Sequence, residues 1–428
     1  MTALLVVIAD QGVMGEIQRD RRGRLTFIYD DRWLSMDAAY PLSLSMPLLI
    51  TKHEHTRIDP WLRGLLPDSE TILKRWGQRF HVSPGNAFSL LSAVGEDCAG
   101  AVQLVKPDRV NNILQDNNHQ VEWLTETQIA KRLRILGQDQ AAWRMEQDVG
   151  QFSLAGAQPK TALIFDGKRW GVPSGPTPTT HILKPPISRL KGHSENEHLC
   201  LSLARAVGLP AARSVVRRFE DETAIVVERY DRMELEGSIR RIHQEDMCQA
   251  LGYPPTKKYQ NEGGPGCAEL SEAIWNHSID PGSDARAFAH AIILNWIIGG
   301  TDAHAKNFSM LIGPQGGSRL APLYDMASIL PYYTTLRKLK MATKIGGEYR
   351  LGQILSRHWV RFATEVGLPK TDVIDEGRAI AESLPAILAE IVDDARAKGL
   401  DHPILLQMSE MLSARSVRCA RILETAAA

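Results

Sequence analysis

Asp302 and Asn307, in the run Gly299-Gly300-Thr301-Asp302-Ala303-His304-Ala305-Lys306-Asn307, have the Asp-x-x-x-x-Asn spacing of a kinase catalytic loop. In that chemistry the aspartate accepts the proton of an attacking hydroxyl, and the asparagine holds a metal ion beside the phosphates. Asp325, after an intervening hairpin, offers a second carboxylate. Hard oxygen donors of this kind are what magnesium takes. Phosphoryl transfer is the chemistry the set suits. Asp and Asn are also common turn and cap residues, and Gly299-Gly300 marks a turn without any chemistry. The segment just before the turn, Phe288 to Ile298, is apolar almost throughout and predicts a buried helix. A buried helix that delivers a polar loop is hard to explain by solubility alone.

Other residues fit the same chemistry. Lys184 closes the strand-like run HILK. A kinase needs a strand lysine aimed at the nucleotide phosphates and oriented by a helix glutamate, for which Glu197 is the candidate. Glu197 serves equally well as the capping-box partner of Ser194, and Lys184 as a snorkelling strand end. In the run from Gly150 to Lys160, small residues at Ala155, Gly156 and Ala157 let backbone amides approach phosphate oxygens, and Lys160 adds charge. The run matches neither G-x-G-x-x-G nor the Walker pattern, and an ordinary hairpin turn has the same composition. His304 and Lys306 lie inside the candidate catalytic loop, where Asp302 is the better proton acceptor. His181, His193, His198, His243 and His290 show no metal-ligand spacing and read as structural. The polar, glycine-rich stretch from Lys257 to Gly266 reads as a mobile substrate-side loop or a solvated connector.

These residues need elements to hold them. The 428 residues are 43% hydrophobic, enough for two or three subdomains around substantial cores. Fifty basic and fifty acidic residues give a formal charge of zero, which makes no electrostatic case for this chain gripping nucleic acid alone. Five scattered cysteines, none in a Cys-x-x-Cys pair, predict a reduced cytoplasmic protein without structural zinc. The N-terminus lacks a basic leader region and meets Asp10 early, so it reads as a strand and turn, and no apolar run is long enough to span a bilayer.

Along the chain, residues 1–104 mix strands (ALLVVIA, RLTFIYD) with a helix over Asp68 to Phe80, and Val105 to His119 reads as a linker. A helix is expected from Thr125 to Leu136, capped by Thr127 or a neighbour. Strands follow over Phe152 to Lys184, then a helix that starts at Ser194 and ends at Gly208. RSVVRRF and TAIVVERY form a hairpin around Glu220-Asp221-Glu222. After Asp231 the pattern is helical except for Asp302 to Tyr324 and Met341 to Tyr349. The order predicts an α+β chain: a small strand-rich lobe (120–230), then a larger helical lobe (231–428), with a cleft between them suited to a nucleotide.

Seven blocks, SLAGAQPKTAL, TPTTHILKPP, ENEHLCLSLARAVGLP, VVERYDR, QEDMCQALGYPPTKKYQNEGGPG, GGTDAHAKNFSML and PLYDMAS, resemble the signature segments of HipA-type serine/threonine kinases, the toxin halves of bacterial toxin–antitoxin pairs. PLSLSMPL, GLLPDSE and FSLLSAVGEDCAGAVQL are similar to that family's N-terminal subdomain, so the resemblance covers most of the chain.

It implies a two-lobed protein-kinase-like fold with an added N-terminal α/β subdomain over 1–104. It implies ATP and Mg2+ as cofactors, with Asp302 as base and Asn307 and Asp325 on the metal. Lys184 would contact the phosphates beneath a loop running through Ala155, Gly156, Ala157, Gln158 and Lys160. Glu228 and Tyr230 would lie at the hinge and hold adenine mainly by backbone groups, with His304 and Lys306 on the nucleotide side of the catalytic loop. Ser153 matches the serine that family members phosphorylate on themselves, and Pro159 stands where some members carry Glu.

The implied partners are a HipB-like helix-turn-helix antitoxin, operator DNA reached mainly through that antitoxin, and an aminoacyl-tRNA synthetase substrate, commonly the glutamyl enzyme. No membrane is implied. Two other readings keep the fold: a non-catalytic nucleotide-binding co-repressor, and a kinase of a small molecule or lipid headgroup. Intact Asp302, Asn307, Asp325 and Lys184 favour the active kinase, and a neutral chain argues against lipid.

Overall fold

The computed structural model describes residues 3–9, 12–115, 121–139, 153–333 and 335–427. The N-terminal segments Ala3–Ala9, Gly12–Arg19, Leu25–Tyr29, Lys52–Glu54 and Gln103–Val105 form one five-stranded sheet, antiparallel in every pairing. Helices His55–Gly64, Glu70–Phe80 and Ala87–Val94 cover one face and bury Trp61, Leu62, Trp76 and Leu91 against Phe27 and Tyr29. Part of the expected linker is structured, because Val110–Gln115 is helical and Ile113 packs on Val6, Ile8 and Val105.

A second sheet holds six strands in the spatial order Ser214–Phe219, Glu222–Glu228, His181–Lys184, Thr161–Phe165, Trp170–Pro173, Val121–Leu124. The period-two alternation of a strand assigns its two faces. Ala224 and Val226 point to helix Glu126–Gln138 and pack with Ile129, Leu133, Trp170 and Phe219. Ile225 and Val227 point the other way, to helix His193–Ala206 and the main core. Helix Glu126–Gln138 is capped by Thr125 in a capping box with Gln128.

The rest is mainly helical, with Cys267–His277, Pro281–Ile298, Ser356–Glu365, Lys370–Ala397 and Pro403–Ala427 around one large core. Helix Pro281–Ile298 is buried nearly all round from Phe288 onward, as the almost wholly apolar run Phe288 to Ile298 predicts. The expectation of helix directly after Asp231 is corrected. Arg232–Leu235 pairs with Ser238–Arg241, and His243–Asp246 pairs with Ser309–Ile312. This second pairing runs beside the candidate catalytic loop, so long-range sheet partners decided the segment, where local pattern suggested helix.

The N-terminal unit is joined to both lobes by polar contacts. Asp97 lies within 2.9 Å of Arg232 and 3.3 Å of Arg241, and Asp231 within 2.8 Å of Arg229. The Gly100 amide donates to Asp231 at 2.7 Å, and the Arg229 guanidinium donates to the Cys98 carbonyl at 2.8 Å. The arginines hold both carboxyls below the usual carboxylate range although burial pushes the other way. Removing one member would leave a buried charge unpaired, at a cost of about 3–5 kcal/mol.

Candidate active site

Strand His181–Lys184 ends on Lys184, whose ammonium donates to Glu197 Oε1 at 2.8 Å and to Asp325 Oδ1 at 2.7 Å. Lys184 and Glu197 are buried, whereas the Asp325 side chain is 40% exposed. Burial works against the lysine's charge, but Asp325 and Glu197 outweigh it and hold the Lys184 pKa above its ordinary range. In return, the Lys184 ammonium holds the Asp325 carboxyl well below the usual range. The lysine is thus a fixed cation, and Asp325 is the member of the set that faces outward.

The Ser194–Glu197 capping box does not form. Helix His193–Ala206 is entered through Gly192 in the left-handed region, at φ 71°, without a side-chain cap. A Cβ there would come within 2.7 Å of His402 and Ile404, so the tight entry needs glycine. Glu197 therefore spends a carboxylate oxygen on Lys184, and Ser194 Oγ is buried without a hydrogen-bond partner among the described residues. Asn196, which the sequence did not single out, accepts from the Ser328 amide at 2.8 Å and donates to the Ser328 carbonyl at 2.7 Å. That pair pins the helix carrying Glu197 to the segment carrying Asp325. Asp325 itself has φ 55°, an uncommon conformation for a non-glycine residue.

Helix Pro281–Ile298 stops at Gly299, which has φ 68° and where a Cβ would lie 2.6 Å from Leu330. The chain then folds back on itself. Asn307 Nδ2 donates to the Asp302 carbonyl at 2.9 Å, which leaves the amide oxygen of Asn307 for other partners. The Asp302 side chain is exposed, and its Oδ1 accepts from Tyr259 OH at 2.6 Å. Tyr259 lies in the glycine-rich stretch read as a mobile loop or connector. The loop is braced, because the Gly264 amide donates to the Tyr259 carbonyl at 3.0 Å and the Lys344 amide to Gln260 Oε1 at 2.7 Å. His304 is buried with its ring edge-on to Tyr259 at 5.0 Å, and burial lowers its pKa, which favours the neutral imidazole.

Lys306, expected among the nucleotide-binding residues, has a buried ammonium 2.8 Å from Asp68 Oδ1 that also reaches the Gly64 carbonyl at 3.4 Å. The ammonium also lies 3.9 Å from Asp246, so its charge is shared between that carboxylate and the N-terminal unit.

Residues 150–152 of the candidate phosphate loop lie outside the described residues. In the remainder Gly156 has φ 105°, and a Cβ there would strike Lys160 Nζ at 2.6 Å. Lys160 Nζ donates to the Ala155 carbonyl at 2.6 Å, and burial together with the Lys184 charge pushes its pKa down to about 8. Gln158 donates to the Pro185 carbonyl at 3.3 Å, and Ala157 is exposed. Ser153 is fully buried, its hydroxyl donating to the Leu65 carbonyl at 2.7 Å.

Glu228 ends its strand with an exposed side chain, but its amide donates to the Arg213 carbonyl at 2.9 Å and is not open to a base. Tyr230 turns its hydroxyl to Gln244 and packs against the ring of Tyr324 at 5.7 Å.

A HipA-like C-terminal domain matches residues 152–393, and a HipA N-terminal domain matches residues 5–105. The chain belongs to the HipA family. The serine/threonine-protein kinase toxin HipA of Shewanella oneidensis is 29% identical over 378 residues, 85% of this chain and 83% of that protein. The protein Y4mE of Sinorhizobium fredii is 34% identical over 409 residues, 95% of this chain and 96% of its own. A solved complex of Shewanella oneidensis HipA and HipB with operator DNA matches with a TM-score of 0.85 at 26% identity, covering 99% of both chains. The α+β kinase-like fold with two lobes accords with that match, and the chain is a serine/threonine-protein kinase of the HipA type.

Proposed function

We propose that this HipA-family kinase transfers the γ-phosphate of ATP, with Mg2+, to a serine of an aminoacyl-tRNA synthetase, the glutamyl enzyme being the first candidate, and to its own Ser153. Stalled translation and growth arrest or persistence would follow. The observation that carries the reading is the buried Lys184–Glu197 pair, which aims a fixed cation at Asp325. A lysine held by a helix carboxylate is what binds nucleotide phosphates in kinases.

The donor set suits the metal. Asn307 keeps its amide oxygen and Asp325 keeps Oδ2, both hard oxygens of the kind magnesium prefers. When bound, the ion neutralises charge on the phosphates. Asp302 is the proton acceptor for the substrate hydroxyl, its Oδ1 steadied by Tyr259 so that Oδ2 is presented. With ATP bound, Lys160 and the backbone amides of the Ala155–Lys160 loop would hold the phosphates, and Lys184 would add a second positive charge.

A HipB-like helix-turn-helix antitoxin is the proposed partner, and it carries the pair to operator DNA. Zero net charge on this chain supports leaving most of the DNA contact to that partner. Among the described residues no helix is long and apolar enough to cross a membrane.

The test is to incubate purified protein with labelled ATP, Mg2+ and a bacterial lysate, beside the Asp302→Asn variant. One labelled synthetase band that vanishes with the variant supports the proposal. Label on other proteins alone, or none, overturns the substrate assignment. For the partner, the chain together with the antitoxin should bind operator DNA far more tightly than the chain alone. Tight sequence-specific binding by the isolated chain would contradict that division of labour.

A further inference from the structure

Asp68 belongs to the N-terminal unit, in the turn between helices His55–Gly64 and Glu70–Phe80, yet it touches both sides of the nucleotide site. Its backbone amide donates to the Gly156 carbonyl at 3.1 Å, and Pro67 forms a parallel bridge with Gly156. Three residues earlier, the Leu65 carbonyl accepts from Ser153 Oγ at 2.7 Å. The short segment 65–68 therefore runs along the phosphate loop like an added edge strand. The carboxylate of the same residue faces the other way. Oδ1 is 2.8 Å from Lys306, the neighbour of Asn307, and Oδ2 is 2.8 Å from Lys258, the neighbour of Tyr259. The Lys258 carbonyl in turn accepts the Ala305 amide at 3.2 Å. Both lysines press the Asp68 pKa down to about 2 against the effect of burial.

We propose that Asp68 is a positioning residue that couples the two halves of the site. Its backbone seats the phosphate loop, while its carboxylate sets the catalytic loop through Lys306 and the Tyr259 loop through Lys258. The N-terminal unit then acts as a third wall of the nucleotide site, and any partner that shifts this unit changes phosphoryl transfer without touching ATP. Apart from the Gly156 carbonyl of the phosphate loop, Asp68 contacts none of the groups assigned to the reaction. Its effect is geometric, and displacements of about 1 Å cost up to about 10²-fold in rate. The inference deepens the kinase reading above and rests on it for its kinetic arm.

The experiment compares wild type, Asp68→Asn, Asp68→Glu and Lys258→Met by steady-state phosphoryl transfer and by hydrogen exchange of the 153–160 segment and the 299–307 loop. Asp68→Asn keeps the backbone amide and size but removes the charge. The expected result is a fall in kcat of about tenfold or more, a raised KM for ATP and faster exchange in both segments. Strands of the N-terminal sheet should keep their protection. Asp68→Glu should recover part of the loss, and Lys258→Met, which keeps the Lys306 contact, should show a smaller change in the same direction. A lowered melting temperature with kcat, KM and loop exchange all near wild type would reduce Asp68 to a structural ion pair and overturn the proposal. If Asp68→Asn does not fold, Lys258→Met decides alone, and unchanged exchange in 299–307 overturns it. If wild type shows no transfer at all, the kinase reading fails, while the exchange comparison still decides the coupling.

Discussion

Glu197 Oε1 sits 2.8 Å from Lys184 Nζ, with both side chains out of solvent. The contact joins a helix to the central strand of the small lobe, and Asn196, one residue earlier, fixes the same helix to Ser328. A buried pair of this kind is costly to break on one side, because the remaining charge is left without a partner.

Glu197→Gln should therefore lower phosphoryl transfer while Lys184 keeps only Asp325. Lys184→Met should be the more severe change, slowing transfer by about 10²-fold or more, the scale of losing one electrostatic stabiliser. Steady-state kinetics at saturating ATP, with circular dichroism as a fold check, measure this. Equal, near-wild-type rates in both variants would remove Lys184 from the machinery.

Asp302→Asn keeps the shape of the side chain and can still accept the Tyr259 hydroxyl, but it loses the proton acceptor. The rate should fall by about 10²-fold or more with little change in melting temperature. Asp325→Asn should instead show a raised Mg2+ requirement, read from a metal titration. Full activity of Asp302→Asn in a magnesium-dependent assay would mean the catalytic loop has been misassigned.

Ser153 donates to the Leu65 carbonyl inside a fully buried contact. An aspartate or a phosphoserine there has no proton to donate and sets negative charge against a carbonyl oxygen and the phosphates of ATP. Ser153→Asp should release the loop and lose ATP binding and activity. Ser153→Ala should bind ATP within a few-fold of wild type and lose its own label. Calorimetric titration with ATP separates them, and near wild-type affinity in Ser153→Asp would end the idea of an off switch.

Burial pushes the Glu245 carboxyl up to about 8 and the Asp246 carboxyl up to about 6, while Glu245 Oε1 accepts from the Leu44 amide at 2.7 Å. The folded state thus keeps protons that the unfolded chain gives up at lower pH. Where the folded state binds more protons, stability falls as pH rises. The contribution is fully present below the ordinary glutamate pKa and is lost as pH climbs through about 8. Melting temperatures from pH 5 to 9 should decline more steeply for wild type than for Glu245→Gln, whose amide oxygen can still accept from Leu44. Parallel curves would show that Glu245 carries no such proton.

Local pattern was enough wherever neighbours in sequence do the work. The hairpin Ser214–Phe219 and Glu222–Glu228 follows from alternation around a polar turn, and the apolar run to Ile298 specifies a buried helix. Asp302 and Asn307 are five positions apart, near enough in sequence for Asn307 Nδ2 to donate to the Asp302 carbonyl. Residue type and position also singled out Lys184 and Asp325, and the family-like blocks added their roles.

Tertiary structure decided the charges. Ser194 and Glu197 have capping-box spacing, but the helix enters through Gly192 and Glu197 turns to Lys184. Lys306 sits among catalytic-loop residues, yet its partner Asp68 lies 238 positions away. Tyr259 reaches Asp302 across 43 positions from a stretch whose composition signals only flexibility. Periodicity and spacing report what a residue does to its own helix, strand or turn. A buried ionic side chain must find an opposite charge or a hydrogen-bonding partner wherever packing puts one, and that choice is made only when distant segments meet.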